Sequence, residues 1–163
     1  MKDMESSERR FVVDGMLGKV AKWLRILGFD ARDERLAARE QIEAYVREGW
    51  LVITRNRRWC GQNRVLCVEA NEPMIQLAEV IKGASIRYEE VRPLHRCIRC
   101  NQPLQRISRD RALGYVPEYV YETSTLFCRC PECRRVYWPG THPRRMMEQL
   151  KHAVGWSVQA NSK

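Results

Sequence analysis

Two short cysteine pairs carry the clearest chemistry of this chain. Cys97 and Cys100 form one Cys-x-x-Cys pair, and Cys130 and Cys133 form the second. Each pair supplies two thiolates from a tight turn, and two such turns complete a closed, structural zinc site. The 29 residues between the pairs exceed the spacing of a compact zinc finger. They favour a zinc ribbon with an intervening hairpin or short sheet.

The other cysteines are expected to be free thiols. Residues 1–10 are charged and lack the apolar core of a signal peptide, so we expect a cytoplasmic protein, where disulfides are rare. Cys60 and Cys67 are predicted to be ordinary buried thiols. Cys128 is placed in the ribbon core, because Cys128-x-Cys130 would be too tight a bite for a metal. No apolar run approaches the roughly 18 residues of a membrane span, so no membrane partner is expected.

A carboxylate, Asp14, follows a short apolar run at Phe11–Val13. At the carboxyl end of a parallel strand, such a side chain faces the crevice where α/β sheets bind ligands. Metal-dependent cleavage of a phosphodiester needs two or more carboxylates that hold magnesium or manganese. Asp14 could equally cap the next helix, because aspartate is favoured at that position. The residues alone leave both roles open.

Strands and helices alternate in the first part of the chain. Strands are predicted at residues 11–14, 50–54 and 64–68, and helices at 16–27, 36–48 and 73–83, where apolar residues recur at helical spacing. This alternation predicts a parallel sheet in an α/β layer. The texture changes near residue 92, so we predict an α/β domain over residues 1–92.

The second part is predicted to be a zinc ribbon with a C-terminal helix over residues 93–154, followed by a tail over 155–163. Short β-like runs lie at 115–116, 119–121 and 136–138, and a helix is expected from about 143 to 153. The net charge of +9 is concentrated here: residues 93–163 hold 12 Lys and Arg against 5 Asp and Glu, whereas residues 1–92 hold 17 against 15. A basic half of this kind favours a polyanion partner, with nucleic acid before an anionic membrane.

Longer motifs then identify a family. Residues 14–30, Ile53-Thr54-Arg55, the two cysteine pairs and residues 136–142 resemble the Mut-seven C-terminal RNase domain family in the same order. The resemblance spans about residues 10 to 150. It implies a PIN-like fold, in which a parallel sheet flanked by helices is followed by a small zinc ribbon, with RNA as the substrate class.

The same resemblance implies a catalytic set of Asp14, Asp30, Glu40 and Asn56. In that set Asp14 anchors a divalent ion, Asp30 and Glu40 assist, and Asn56 is a neutral ligand. Two departures from the family pattern weaken the set. Asn56 stands where the family has aspartate, so it brings no negative charge, and Arg39 stands beside Glu40 where an acid is expected.

Basic side chains accompany both parts. Near the crevice they would hold phosphates, with Trp59 available for base stacking, and near the cysteine pairs guanidinium groups suit phosphate. The alternative is a solvated helix face and a basic loop, and His142 could simply cap the last helix. The predicted nucleic-acid-binding residues are Lys19, Lys22, Arg25, Arg55, Arg58, Arg134, Arg135 and His142.

These observations favour an RNA-binding protein that is a metal-dependent endoribonuclease with a partly altered acidic site. It would carry structural zinc and, if active, catalytic magnesium or manganese. The alternatives are a catalytically degenerate RNA-binding protein, for which Asn56 and Arg39 are the argument, and a zinc-ribbon adaptor that docks on another protein. A protein partner is possible but no motif indicates one.

Overall fold

Four parallel strands form the sheet that organises the first part of the chain. The structure is a computed structural model, and it describes residues 8–156. The predicted tail therefore lies mostly outside the described residues, as do residues 1–7. The elements in chain order are β1 (Arg10–Asp14), α1 (Gly18–Ile26), β2 (Asp30–Glu34), α2 (Arg39–Arg47), β3 (Leu51–Thr54), β4 (Val65–Cys67), α3 (Pro73–Gly83), β5 (Gln105–Ile107), α4 (Arg109–Ala112), α5 (Glu118–Thr123), β6 (Phe127–Arg129), β7 (Val136–Tyr137) and α6 (Thr141–Val154).

The strand order of this sheet is β2-β1-β3-β4, and every pairing is parallel. Alternate residues of β1 supply the two layers of the core, as the two-residue period of a strand requires. Phe11 and Val13 pack against α1 and α3, and Val12 packs with Ile42 of α2 on the other face. The predicted α/β layer is therefore confirmed.

The last helix, α6, packs against the α/β layer. Met146 and Leu150 of α6 are buried in the same cluster as Leu77 and Ile81 of α3. The chain thus returns to the α/β layer after the ribbon, which the predicted boundary near residue 92 does not anticipate. Trp156 continues this packing, since its indole N–H donates to the Ile86 carbonyl at 3.3 Å.

The ribbon is built on a second, antiparallel sheet of order β5-β6-β7. Its small core contains Ala112, Val120, Phe127 and Val136. The predicted strand at 136–138 is found at Val136–Tyr137. The strand predicted at 119–121 is wrong, because those residues lie in the helix α5, and residues 115–116 form no strand.

Two side chains join the ribbon to β2. Arg25 of α1 donates to the Ala31 carbonyl at 2.7 Å and to the Ile98 carbonyl of the ribbon at 2.9 Å. Asn101 accepts from the Ala31 N–H at 3.1 Å and donates to the Asp30 carboxylate at 2.6 Å. The outward backbone groups of Ala31 are therefore satisfied by α1 and the ribbon.

Cys60 and Cys67 form a disulfide, with Cα atoms 5.7 Å apart. The prediction of two ordinary buried thiols is wrong, because the turn after β3 brings Cys60 beside the last residue of β4. The bond ties the loop that contains Asn56 to the sheet. Cys128 is buried and free, in agreement with its predicted place in the ribbon. None of the helices within residues 8–156 combines the length and the apolar character that crossing a bilayer requires.

Candidate metal centre and active site

Four cysteine sulfurs meet at one point of the ribbon. The Sγ atoms of Cys97, Cys100, Cys130 and Cys133 all lie within 4.8 Å of one another, and those of Cys97 and Cys133 are 3.8 Å apart. A tetrahedral zinc ion with Zn–S bonds of about 2.3 Å sets its sulfurs about 3.8 Å apart. The donor set therefore fits a metal ion such as zinc.

The two cysteine turns share one backbone design. The residue after the second cysteine has a positive φ in both, 61° at Asn101 and 66° at Arg134. Its N–H donates to the carbonyl of the first cysteine, at 2.9 Å in residues 97–102 and 3.1 Å in residues 130–135. We call these segments the first and second knuckle. These turn hydrogen bonds fix the backbone of each knuckle, so that its two thiols point to the common centre of the four sulfurs.

Hydrogen bonds set the acidity of the thiols. Burial raises the pKa of the Cys97 thiol, but the Tyr137 hydroxyl, 3.1 Å from the sulfur, and the backbone N–H groups of Cys100 and Arg99 outweigh it and bring the pKa to about 7. Desolvation and the neighbouring thiols of Cys133 and Cys97 raise the pKa of Cys100 to about 12. Because metal ions bind the thiolate, Cys97 is better prepared than Cys100 to bind one at neutral pH.

Asp14 ends β1 as a buried carboxylate. It is 9% exposed and accepts a hydrogen bond from Thr54 Oγ1 at 2.9 Å. Although a 3₁₀ turn begins at the next residue, the Asp14 side chain makes no capping hydrogen bond. Within residues 8–156 no basic side chain forms an ion pair with it. The structure therefore rejects the capping role and leaves a buried carboxyl group whose charged form would be costly without a cation.

A chain of hydrogen bonds extends from Asp14 across β3. The Asn56 N–H donates to Thr54 Oγ1 at 3.0 Å, and that hydroxyl donates to Asp14. The Asn56 side-chain oxygen accepts from the Arg58 N–H at 3.1 Å and so caps the 3₁₀ turn Arg57–Trp59. The Asn56 backbone is therefore linked to the carboxylate through Thr54, while its side-chain oxygen shapes the basic loop; its role as a metal ligand stays a prediction.

Glu34 is a neighbour of Asp14 that the sequence reasoning missed. The two residues are Cα partners in the parallel register of β1 and β2, so their side chains leave the same face of strands about 4.8 Å apart. Glu34 also lies beside Tyr45, whose pKa is raised by burial first and by a hydrogen bond with Glu34 second. The register could have revealed this pair, but β2 itself was not predicted.

The structure does not bring Asp30 or Glu40 to Asp14. Asp30 begins β2 opposite Arg10, at the other end of the strand, and its carboxylate accepts from Asn101. Glu40 lies in the first turn of α2, two residues before the buried Ile42, which at 100° per residue puts it on the far side of the helix. Both residues are therefore set apart from the predicted catalytic group.

Arg39 does not place a cation in the crevice either, because its guanidinium pairs with Glu43 at 2.7 Å on the exposed side of α2. Within residues 8–156 the four thiols are the one group of three or more Cys, His, Asp or Glu side chains arranged to hold an ion. An ion at Asp14 would therefore depend on Asp14, Glu34 and the neutral oxygens of Thr54 and Asn56. We call these four residues the Asp14 site.

The basic residues near this site have different surroundings. Lys19 and Lys22 are exposed on α1, and Arg58 is exposed in the loop after β3. Arg55 is half-buried and donates to Asn71 Oδ1 at 2.8 Å. Arg25 is 8% exposed, and its donors are engaged with carbonyls. Arg25 is therefore a structural group, which corrects its prediction as a phosphate contact.

Aromatic stacking beside the Asp14 site also needs correction. Trp59 is 5% exposed, so its ring is closed to a base, while the Arg58 guanidinium lies 5.3 Å from its centroid. In the ribbon, Arg134 is exposed on the second knuckle. Arg135 and His142 line a separate cleft of the ribbon, which brings together two of the three nucleic-acid contacts predicted there.

With this geometry in view, comparison with known proteins is informative. The family model described as the Mut7-C RNAse domain matches residues 9–150. The chain belongs to the Mut7-C RNase domain family. No curated protein and no solved structure matches the chain significantly. The resemblance inferred from the motifs is therefore confirmed over the whole stretch that they span.

Membership of the Mut7-C family indicates a nuclease or RNA-related role. It also accounts for the order of the two halves, an α/β layer followed by a cysteine cluster that fits metal binding. In this Mut7-C chain the two kinds of site are separate: thiols gather in the ribbon, and oxygen groups gather at the carboxyl ends of β1, β2 and β3.

Proposed function

We propose that the protein is a metal-dependent endoribonuclease whose cleavage site is the Asp14 site. The observation that carries this proposal is the buried Asp14 carboxylate, which has a hydroxyl partner but no basic partner among the described residues. A divalent ion would balance that charge. Glu34 replaces Asp30 and Glu40 as the second carboxylate of the proposal, because it shares the face and the register of Asp14.

The surroundings suit a phosphodiester. A magnesium or manganese ion, when bound, activates water and neutralises charge on the phosphate. Lys19, Lys22 and Arg58 are exposed, and Lys19 and Arg58 follow the strand ends that position Asp14 and Thr54. Lysine and arginine at such positions bind the sugar–phosphate backbone without reading its sequence. The proposed substrate is therefore RNA recognised through its backbone.

The decisive experiment replaces Asp14→Asn, which keeps the shape and removes the charge. A structured RNA is incubated with zinc-loaded protein and manganese, and the rate of cleavage is measured on a gel. We expect the rate to fall by about 100-fold or more, because metal catalysis contributes several kcal/mol. Asp110→Asn is the matched control, since Asp110 is exposed in the ribbon. Equal cutting by both variants and the wild type would identify a contaminating nuclease and overturn the proposal.

Asn56→Asp tests the altered position directly. Aspartate can still accept the Arg58 N–H, so the 3₁₀ turn keeps its cap, while the site gains one negative charge. We expect tighter manganese binding and faster cleavage, because carboxylates hold divalent ions better than amides. Asn56→Ser is the control that keeps a cap but adds no charge. A manganese affinity unchanged by Asn56→Asp would place the ion elsewhere.

One observation favours a second candidate, an RNA-binding protein that does not cut. The Asp14 site lacks a third carboxylate within the described part of the chain. This candidate predicts RNA binding that weakens with salt, by a slope of about 0.7 per neutralised phosphate on a single strand, together with cleavage that is absent in both the wild type and Asp14→Asn.

A cytoplasmic location stays a prediction that cell fractionation would test. The Cys60–Cys67 disulfide is the observation that speaks against it, because disulfides seldom persist in reducing compartments.

A further inference from the structure

The ribbon contains a cleft that the Asp14 site does not use. It lies between α5, the end of β7 and the start of α6, and its volume is about 800 Å³, within the range of ligand-binding clefts. We call it the ribbon cleft. Its walls come from residues 119–120, 123–125 and 135–144, in two segments that the ribbon core brings together through Val120 and Val136.

Aromatic side chains form one wall of the cleft. Tyr119 is 68% exposed, so a ligand in the cleft can reach its ring. Trp138 packs one side against the ribbon core and stays partly exposed. Tyr137 is committed elsewhere, because its hydroxyl lies 3.1 Å from Cys97 Sγ. Tyr119 and Trp138 are therefore the aromatic faces available to a planar ligand.

The rim of the cleft is positively charged. Arg135, Arg144 and His142 line it, and no Asp or Glu does. The helix α6 also begins here, with Gly140 at its N-cap, no side-chain cap and no acid in its first turn. Basic residues beside the positive end of a helix dipole are unfavourable by themselves. An anion would relieve this arrangement, since it suits both the guanidinium groups and the positive end of the helix dipole.

We infer that the ribbon cleft binds one or two nucleotides of single-stranded RNA, with a base on Tyr119 and Trp138 and a phosphate at Arg135 and Arg144. Aromatic faces with nearby cations are the usual means of holding single strands without sequence preference. An acidic protein segment would match the charge but would leave the exposed aromatic face without a planar partner. This inference rests on the proposed function in taking RNA as the substrate.

The test uses the zinc-loaded 163-residue protein with the Asp14→Asn substitution, so that cutting does not obscure binding. The probe is a ten-nucleotide fluorescein-labelled oligouridine, measured by anisotropy. Tyr119→Ala should weaken binding by about 5-fold or more, because stacking on one aromatic contributes about 1–3 kcal/mol. Arg144→Ala should reduce the salt slope by about 0.7 if it neutralises one phosphate. Photocrosslinks from a 4-thiouridine version of the probe should map to residues 119–144.

Tyr115→Ala is the matched control, since Tyr115 is 61% exposed on the ribbon but outside the cleft; its affinity should equal that of the parent. The inference is overturned if Tyr119→Ala and Arg144→Ala bind the probe as the parent does. It is equally overturned if they lose binding to an acidic peptide but not to RNA. Cleavage is measured separately. Equal RNA cleavage by the wild type and Asp14→Asn refutes the nuclease proposal but leaves the ribbon cleft standing. Unchanged RNA binding by the cleft variants refutes the binding role of the ribbon cleft but leaves the nuclease proposal standing.

Discussion

Replacing Arg25→Met should destabilise the whole fold, even though Arg25 lies in a helix whose other basic residues are exposed. The guanidinium donates to the Ala31 carbonyl at 2.7 Å and to the Ile98 carbonyl at 2.9 Å. Methionine keeps the apolar stem and the helix propensity, so the change isolates these two bonds. Burial lowers the pKa of Arg25, while Asp33 and Cys97 nearby favour its charged form.

The magnitude follows from the bond types. Hydrogen bonds from a charged donor contribute about 1.5–3 kcal/mol each, so we expect the free energy of unfolding to fall by about 3–6 kcal/mol. That is a large part of the roughly 5–15 kcal/mol that stabilises an ordinary domain. With an m-value of about 2 kcal/mol/M, the urea midpoint should fall by roughly 1.5–3 M.

The control is Lys22→Met, one turn earlier on the exposed side of the same helix. It should change the unfolding free energy by less than about 0.5 kcal/mol but should weaken RNA binding. The unfolding of both variants in urea is monitored by circular dichroism with zinc present. If Arg25→Met unfolds at the same urea concentration as Lys22→Met, the bridging role assigned to Arg25 is wrong. Loss of RNA binding by folded Arg25→Met alone would restore it as a phosphate contact.

Three further outcomes are expected. Gly28→Ala should lower the free energy of unfolding in urea more than Gly61→Ala does. Both glycines have a positive φ, which costs about 1–2 kcal/mol for alanine, but only at Gly28 would a Cβ collide with the Arg92 carbonyl oxygen, whereas a Cβ at Gly61 meets nothing; equal losses of unfolding free energy would contradict this contact. Chelation of zinc should lower the melting temperature of the α/β layer as well as that of the ribbon, because Asn101 of the first knuckle bonds to β2. An unchanged melting temperature of the α/β layer would show that the two parts are independent. Burial raises the pKa of Glu90, but the Arg87 N–H and the Arg9 guanidinium outweigh it and lower the pKa below 4.5. The destabilisation caused by Glu90→Gln should therefore be largest above pH 4.5 and should shrink as the pH falls. A difference in unfolding free energy that stays constant down to pH 3 would contradict this.

Much of the α/β layer could be predicted because its elements have strong periodicity. The helix that begins after Gly15 and the strand that ends at Thr54 both follow apolar patterns that tertiary packing reinforces. The strand β2 does not, because Ala31 is its one buried residue. The outward backbone groups of Ala31 bond to Arg25 of α1 and to Asn101 of the ribbon, and no pattern within the strand encodes those contacts.

The ribbon shows the opposite difficulty. Tyr119, Val120 and Tyr121 favour a strand by propensity, yet they form α5 because Val120 alone must reach the ribbon core. The cysteine ligands could be predicted, since their spacing is a local property of each knuckle. The disulfide could not, because the approach of Cys60 to Cys67 depends on the pairing of β3 with β4.

The candidate site was predicted in part for the same reason. Asp14 and Asn56 follow apolar strands, and the parallel order brings the ends of β1 and β3 together. Asp30 was misplaced and Glu34 was missed because both depend on the register of β2. A family motif preserves the order of residues along the chain, but the sheet register decides which end of a strand each one occupies.

The bonds between Asn101, Arg25 and Ala31 also bear on the solubility of this protein. β2 is an outer strand of its sheet, and Arg25 of α1 together with Asn101 of the first knuckle occupies the Ala31 backbone groups through which another strand could be added. We expect a chain without its metal to lose the part of this cover that Asn101 provides, and an uncovered strand is a template for pairing between copies. The supply of the metal would then influence how readily newly made chains aggregate, a consequence of placing the metal module at the rim of the sheet.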